Sequence, residues 1–418
     1  MTETKSAPTN WKQNTVLFLS GQIISLFGSM LVQYAIMWHI TLVTKSGVMM
    51  MISILCGFLP TFILSPFGGV WADRYNRKRL IALADAGIAA ATLVLVLLFA
   101  AGYDALWLLF AISAVRAAGA GIQTPAVGAL LPQIVPAEKL TAVNGTYGSL
   151  NAFMMLVAPI VSAALLSFAS IEIIFLIDIV TAAVAIAILL AWVRVPDHRG
   201  ESAGEPGGYF TEMKQGLLYI RNHTFLKPYF AFFALAYLFM APPAFLTPLQ
   251  VARTFGGDYW RLTAIEVVFS IGMMAGGALI ASWGGFRNRT HTLMLACALF
   301  GFCTVGLGVV PSFWVYLAVM GLAGIAAPLI STPAQVILQE KVDSAYMGRV
   351  FGVFSMISTS MMPAGMLIFG PIADVVPIER LLVGSGALFA LLALWLAGSR
   401  ALREAGKPSE PAGRQAAE

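Results

Sequence analysis

The sequence predicts an all-α membrane protein, with twelve transmembrane helices in two pseudo-symmetric six-helix bundles. Three observations predict it. Hydrophobic residues make up 59% of the 418-residue chain and charged residues 11%, against roughly 45–50% and about 25% in soluble domains. The surplus apolar surface must face lipid. Twelve apolar stretches each run about 20 residues or more, enough to cross a hydrocarbon core of about 30 Å as a helix. Finally, Gly68-Gly69 recurs as Gly276-Gly277, and Thr124-Pro125-Ala126 as Thr332-Pro333-Ala334, both 208 residues on. That offset is close to half the chain, so it points to a duplicated six-span unit.

A hydrophilic segment, 1–13, precedes the first span at 14–42. This span is far longer than the apolar core of a signal peptide and is expected to stay attached. Spans at 47–71, 79–101, 105–131, 142–168 and 171–193 complete a first bundle, 14–193. A linker, 194–224, starts with the Gly/Pro/Glu-rich piece 200–208, which cannot bury a core and is expected to be flexible. Phe210, Met213, Leu217 and Ile220 then follow at helical spacing, as in an amphipathic helix on a membrane surface. The second bundle, 225–397, holds spans at 225–250, 260–283, 290–310, 312–337, 347–371 and 379–397. A polar tail, 398–418, is expected to be disordered.

Charge sets the orientation. With the N-terminus in the cytoplasm, twenty Lys and Arg residues fall on that side and only Lys45, Arg253, Arg261 and Arg380 outside. Such a bias predicts both termini in the cytoplasm of a multi-pass protein of the cell (inner) membrane. It also explains the net charge of +5 without nucleic acid. Cys56, Cys297 and Cys303 lie in spans and show no disulfide or metal spacing. Asn144, Asn222 and Asn288 head N-x-Thr triplets, but on the cytoplasmic side, where they carry no glycan.

Between the second and third spans stands the string Gly68-Gly69-Val70-Trp71-Ala72-Asp73-Arg74-Tyr75-Asn76-Arg77-Lys78-Arg79. Its glycines allow close helix approach, and its basic residues suit an anionic leaflet. The spacing from Gly69 to Lys78 resembles the signature loop of the major facilitator superfamily, with Asn76 where that family usually has glycine. Asparagine is the next best residue for a left-handed turn. The resemblance implies the major facilitator fold. It also implies a conformational latch of Gly69, Asp73, Arg74, Arg77 and Lys78 against the start of span eleven, where Arg349 is the partner of Asp73. In the second half Ala281 replaces the acid while Arg287 and Arg289 remain, so a weaker latch or none is expected there.

Further strings resemble the drug–proton antiporter branch of macrolide-efflux type. They are Arg116 to Ala126 in span four, Val135 to Leu140, Ala264 to Val267 with Gly272, and Gln339 to Val342 leading to Gly348-Arg349-Val350-Phe351. In span five Ala158-Pro159 replaces the Gly-Pro usual in antiporters. The resemblance implies a monomeric exporter of small hydrophobic substrates, driven by protons and needing no cofactor.

Charged residues within spans are expected to face a cavity or a partner. Arg116 lies deep in span four, Asp178 in span six, Glu266 in span eight and Asp85 in span three. Arginine does not release its proton, so Arg116 is expected to hold a carboxylate ionised, and Asp178 is the predicted partner. A purely structural pair is the bland reading. Glu266 is the first candidate for a group open to both proton and cationic drug, because a carboxyl in apolar surroundings binds a proton more readily than in water. Asp85 joins the proton-coupling candidates; its structural alternative is to reach the cytoplasmic interface or the Arg74–Arg79 cluster.

The candidate substrate contacts are polar, aromatic and thioether residues on otherwise apolar spans. Gln22, Ser25, Ser29 and Gln33 form one stripe on span one. Asn151 on span five, Tyr237, Met240 and Phe245 on span seven, Gln335 on span ten, and Ser358 and Met362 on span eleven complete the set. Such walls adapt to varied ligands, though polar stripes are also ordinary helix–helix glue. Pro242-Pro243 frees backbone carbonyls and is a candidate hinge for alternating access.

Two readings share this fold: an antiporter of macrolide-like drugs, and an exporter of an endogenous metabolite, lipid or siderophore. An enzyme finds no support, since no phosphate loop, H-E-x-x-H or ligand-spaced Cys/His cluster is present. The missing phosphate loop also argues against an ATP-driven pump, unless an ATP-binding partner supplies it.

Overall fold

The computed structural model describes residues 10–195, 220, 223–343 and 346–407. Six long helices make the first half: α1 (Trp11–Thr44), α2 (Gly47–Arg74), α3 (Arg77–Ala100), α4 (Leu106–Ile134), α5 (Leu140–Phe168) and α6 (Ile171–Trp192). Six more make the second: α7 (Leu226–Thr254), α8 (Tyr259–Trp283), α9 (Arg289–Val309), α10 (Phe313–Lys341), α11 (Met347–Val375) and α12 (Ile378–Gly398). All twelve are long and apolar enough to cross a membrane, and each overlaps one predicted span. Among the described residues there are no strands.

Residue contacts group the chain into two compact units. One holds Met1–Thr44, Ile52–Glu205 and Asp258–Thr263, and the other holds Lys45–Met51, Pro206–Gly257 and Ala264–Glu418. In the first, α3 packs on α4 and α6, and α1 on α5 and α6. The second is built in a corresponding way, with α9 on α10 and α12, and α7 on α11.

The repeated glycines occupy matching places in the two units. Gly68 on α2 lies against Gly121, Ile122 and Pro125 of α4, and Gly276 on α8 lies against Ile325 and Pro328 of α10. A side chain at either position would collide with the facing backbone. The second glycine of each pair, Gly69 or Gly277, has open space where a side chain would sit. Close approach therefore depends on the first glycine of each pair, as small residues permit between helices in lipid.

Several local expectations need correction. Asn76 does not adopt a left-handed turn. Its backbone is extended (φ −64°), and its side chain caps α3 by accepting from the Arg79 backbone N–H at 3.1 Å. At the candidate hinge Pro242-Pro243 nothing is overturned: Pro242–Leu246 forms a π turn and the helix continues to Thr254. A π turn absorbs the missing proline N–H groups at a local widening. The tail expected to be disordered from 398 begins with a short helix, α13 (Arg400–Ala405). It is held where Thr290 Oγ1 donates to the Leu402 carbonyl (2.7 Å) and Asn288 Nδ2 to the Arg403 carbonyl (3.0 Å). Residues 408–418 and the expected linker helix, apart from Ile220, lie outside the described residues.

Candidate functional site

Four helices of the first unit converge on one buried ion pair. Arg116 on α4 binds both carboxylate oxygens of Asp178 on α6, one through Nη1 and the other through Nη2 at 3.3 Å. Nη1 also donates to Thr92 Oγ1 on α3 at 3.0 Å, and Ser29 Oγ on α1 donates to Asp178 Oδ1 at 3.4 Å. Asp178 is 1% exposed. Gly28, one turn-step from Ser29, leaves no room for a side chain against Asp178 and Thr181, which lets α1 come close enough to bring Ser29 in.

Energetics explain the convergence. A buried ion costs several kcal/mol in desolvation, and breaking a buried pair from one side costs about 3–5 kcal/mol. The pair therefore persists only where each lone pair and N–H finds a partner. Thr92 and Ser29 supply two of these, so four helices become tied to one arginine.

Asp85 lies on the same helix as Thr92, two turns closer to the Asn76 cap. It is 4% exposed. Its Oδ1 accepts from Gln123 Nε2 on α4 at 2.6 Å, and its Oδ2 is buried with no hydrogen bond. It therefore faces neither the interface nor the Arg74–Arg79 cluster, which corrects that part of the expectation.

The basic loop is used locally. Asp73 is exposed (76% of its side chain) and pairs with Arg77 at 3.3 Å. Arg77 also donates to the carbonyls of Ala72 (2.8 Å) and Ala129 (2.7 Å), and Lys78 Nζ to those of Val193 (2.7 Å) and Leu190 (3.0 Å) at the end of α6. A cation there offsets the partial negative charge of the helix end. Arg349 stacks over Tyr346, 5.6 Å from the ring centroid. In the second unit Arg289 pairs with Glu340, one of its contacts being Nε to Oε2 at 3.0 Å.

The remaining candidates scatter. Gln22 and Ser25 are buried inside the first unit, whereas Gln33 is exposed. Asn151 is half-buried and donates to the Tyr147 carbonyl at 2.9 Å. Tyr237, Met240, Phe245 and Met362 are half-buried, and Gln335 is exposed. Ser358 donates to the Ser355 carbonyl at 2.9 Å. Glu266 on α8 is half-buried and bonds to no described residue.

A second charged cluster was missed in the sequence. Asp374, at the end of α11, accepts from the Gly47 (2.7 Å) and Val48 (3.0 Å) backbone N–H groups and from Ser46 Oγ (2.6 Å) at the start of α2. These residues group with the second unit. Arg253 Nη2 donates to the same carboxylate at 2.7 Å and to the Lys45 carbonyl at 2.6 Å, while Nη1 reaches Ala373 O at 2.7 Å. An acid capping a helix N-terminus is stabilised by its free N–H groups and dipole. Gly47 is required beside Gly370, where a side chain would meet backbone.

Twelve apolar helices among the described residues, in two like units with an ion pair buried inside one of them, are the build of a multi-pass membrane protein. The family model described as Major Facilitator Superfamily matches residues 16–366, and the chain belongs to that superfamily. It is 30% identical to macrolide efflux protein A of Streptococcus pyogenes over 390 residues, covering 92% of this chain and 95% of that protein. It is likewise 30% identical to macrolide efflux protein A of Enterococcus faecalis, over 75% of this chain and 97% of the relative. Among solved structures, a bacterial homologue of the human lysosomal transporter Spinster superposes with a TM-score of 0.70 at 15% identity, covering 97% of this chain and all of that one. An autoinhibited POT-family peptide transporter gives 0.72 at 14% identity, covering 96% and 98%. At these identities the structures establish the fold alone.

Proposed function

We propose that the protein is a proton-coupled antiporter in the cell (inner) membrane, both termini cytoplasmic, that exports hydrophobic macrolide-like drugs by alternating access. The observation that carries this reading is the 30% identity to macrolide efflux protein A across 92% of the chain. A buried ion pair and a buried acid within one unit support coupling to protons, because ionisable groups are retained inside spans mainly for transport work. The proton-coupling set is Asp85, Arg116, Asp178 and Glu266. Half-buried Glu266, bonded to no described residue, is proposed to meet the drug's cationic group. Gln33, Asn151, Tyr237, Met240, Phe245, Gln335, Ser358 and Met362, all at least partly open, are proposed to meet its apolar body. The proton gradient supplies the energy, with no cofactor.

The test is labelled macrolide in intact cells. Cells expressing the protein should hold less drug than controls, and collapsing the proton gradient should abolish the difference. Equal accumulation in both cells would move the reading to an endogenous metabolite, lipid or siderophore. Intact coupling in Glu266→Gln would remove Glu266 as obligatory proton carrier.

A further inference from the structure

We infer that Asp85, rather than the Arg116-bound Asp178, is the proton-binding group of the first unit. The inference rests on the antiporter reading for its purpose, but the geometry concerns Asp85 alone. The two buried aspartates have opposite surroundings. Both oxygens of Asp178 face the Arg116 guanidinium, and Ser29 adds a third donor. Asp85 meets only neutral groups, with Gln123 donating to Oδ1 at 2.6 Å and the Ser25 hydroxyl of α1 beside the carboxyl, and its Oδ2 is sealed from solvent with no hydrogen bond.

No cation compensates Asp85. The elements around it contribute the following groups among the described residues. α4 brings Arg116 and Gln123, the first already bonded to Asp178 and Thr92. α6 brings Asp178, an acid already bonded to Arg116 and Ser29. α1 brings Ser25, a neutral hydroxyl 5% exposed that faces the Asp85 carboxyl. On α3 itself the basic residues Arg77 to Arg79 lie at the helix start, and Asp85 stands about 13 Å along the axis from the Asn76 cap at 1.5 Å per residue.

An ionised Asp85 would add a net negative charge to an apolar interior whose other two charges cancel. A proton on Oδ2 removes that charge and leaves only a hydroxyl without an acceptor, a smaller penalty than an unpaired ion. Gln123 selects the site: its N–H fixes Oδ1 as the acceptor and leaves Oδ2 to carry the proton. Thr92 connects the two acids. It stands on the Asp85 helix, two turns on, and takes a hydrogen bond from Arg116, so a displacement of α3 that changes Asp85 also changes the ion pair.

Carbodiimide labelling of the intact protein in liposomes tests this, since the reagent attacks protonated carboxyl groups and mass spectrometry locates the adduct. Asp85 should be labelled and Asp178 spared. The Asp85 rate should fall roughly tenfold per pH unit above its midpoint, as the protonated fraction does. An unlabelled Asp85 beside labelled Asp178, or Asp85 labelling that ignores pH, would overturn the inference. Everted vesicles give the second readout. Macrolide uptake by the unaltered protein should rise with an imposed gradient, and Asp85→Asn should lose most of that acceleration while Asp85→Glu recovers part of it. Full gradient dependence in Asp85→Asn would also overturn it. If the unaltered protein moves no macrolide in vesicles, the function proposed above fails, and labelling alone decides Asp85.

Discussion

The two units share a scaffold and differ in what they bury. Aligned on their asparagine caps, Asn76 of α3 and Asn288 of α9, Asp85 corresponds to Cys297 and Thr92 to Thr304. Thr92 and Thr304 are both buried, and each hydroxyl donates to the carbonyl four residues earlier. Aligned on helix starts, Asp178 of α6 corresponds to Ser385 of α12, which donates to the Leu382 carbonyl. Opposite Arg116 the second unit has the Ala323–Gly324 step, where Gly324 packs on the Phe269 backbone. Where the first unit places charges, the second places small residues. There α9 and α12 meet through Gly301 and Gly386, each touching the other helix's backbone. Beside them sits an aromatic core of Tyr229, Phe233 and Phe354, with Phe233 and Phe354 ring centroids 5.2 Å apart. Duplication supplied one packing solution: at these matched positions one copy carries ionisable groups and the other small neutral residues, while the second unit keeps its own charges elsewhere, at Glu266 and in the Asp374–Arg253 pair.

That contrast can be broken at its strongest point first. Asp178→Asn leaves Arg116 buried and unpaired, so it should destabilise the protein by about 3–5 kcal/mol. Thermal unfolding in detergent would register this. Combining it as Asp178→Leu with Arg116→Met should recover most of that stability, since apolar replacements of buried pairs are often neutral, yet transport should not return. In the second unit the corresponding injury is steric. Gly386→Val pushes a branched side chain into the Val305 and Gly301 backbone and should cost about 1–3 kcal/mol, with proton dependence of the residual transport unaltered.

Smaller effects sharpen the comparison. Asp374→Asn removes the charge that meets Arg253 and three donors at the start of α2. Because Asp374 is partly open, a loss of about 1.5 kcal/mol is expected, at the low end for hydrogen bonds to charged groups. Unfolding of the purified protein would detect it, and an unchanged midpoint would show the cluster to be idle. Least of all, Lys78→Met uncaps α6 and should cost about 0.3–1 kcal/mol. No equivalent loss is expected from Arg287→Met in the second unit, where Thr290 and Asn288 supply the contacts, to the carbonyls of α13.

Much of this was legible in the residues because lipid imposes simple rules. Length and apolarity reveal a span, so all twelve helices could be located. A charge in mid-span needs a partner, so Arg116 and Asp178 could be matched across 62 residues. Neutral polar groups give no such signal. Gln123 and Thr92 look like any amide or hydroxyl on a helix until the facing side is known. Asp374 and Arg253 were missed for the opposite reason, because charges at span ends are ordinary and nothing in the sequence says which ones meet. Asn76 was assigned to the wrong backbone state because turn and cap draw on the same residue types, and only the direction of its side-chain oxygen separates them.

The central claim is that drug movement and proton movement are one process, run through the acids inside the spans. Purified protein in liposomes with a pH-sensitive dye inside tests it directly. Adding macrolide outside, with the exporting face outward, should drive protons out as drug enters, and the signal should vanish in Asp85→Asn. Drug accumulation that proceeds with no proton movement would contradict the account.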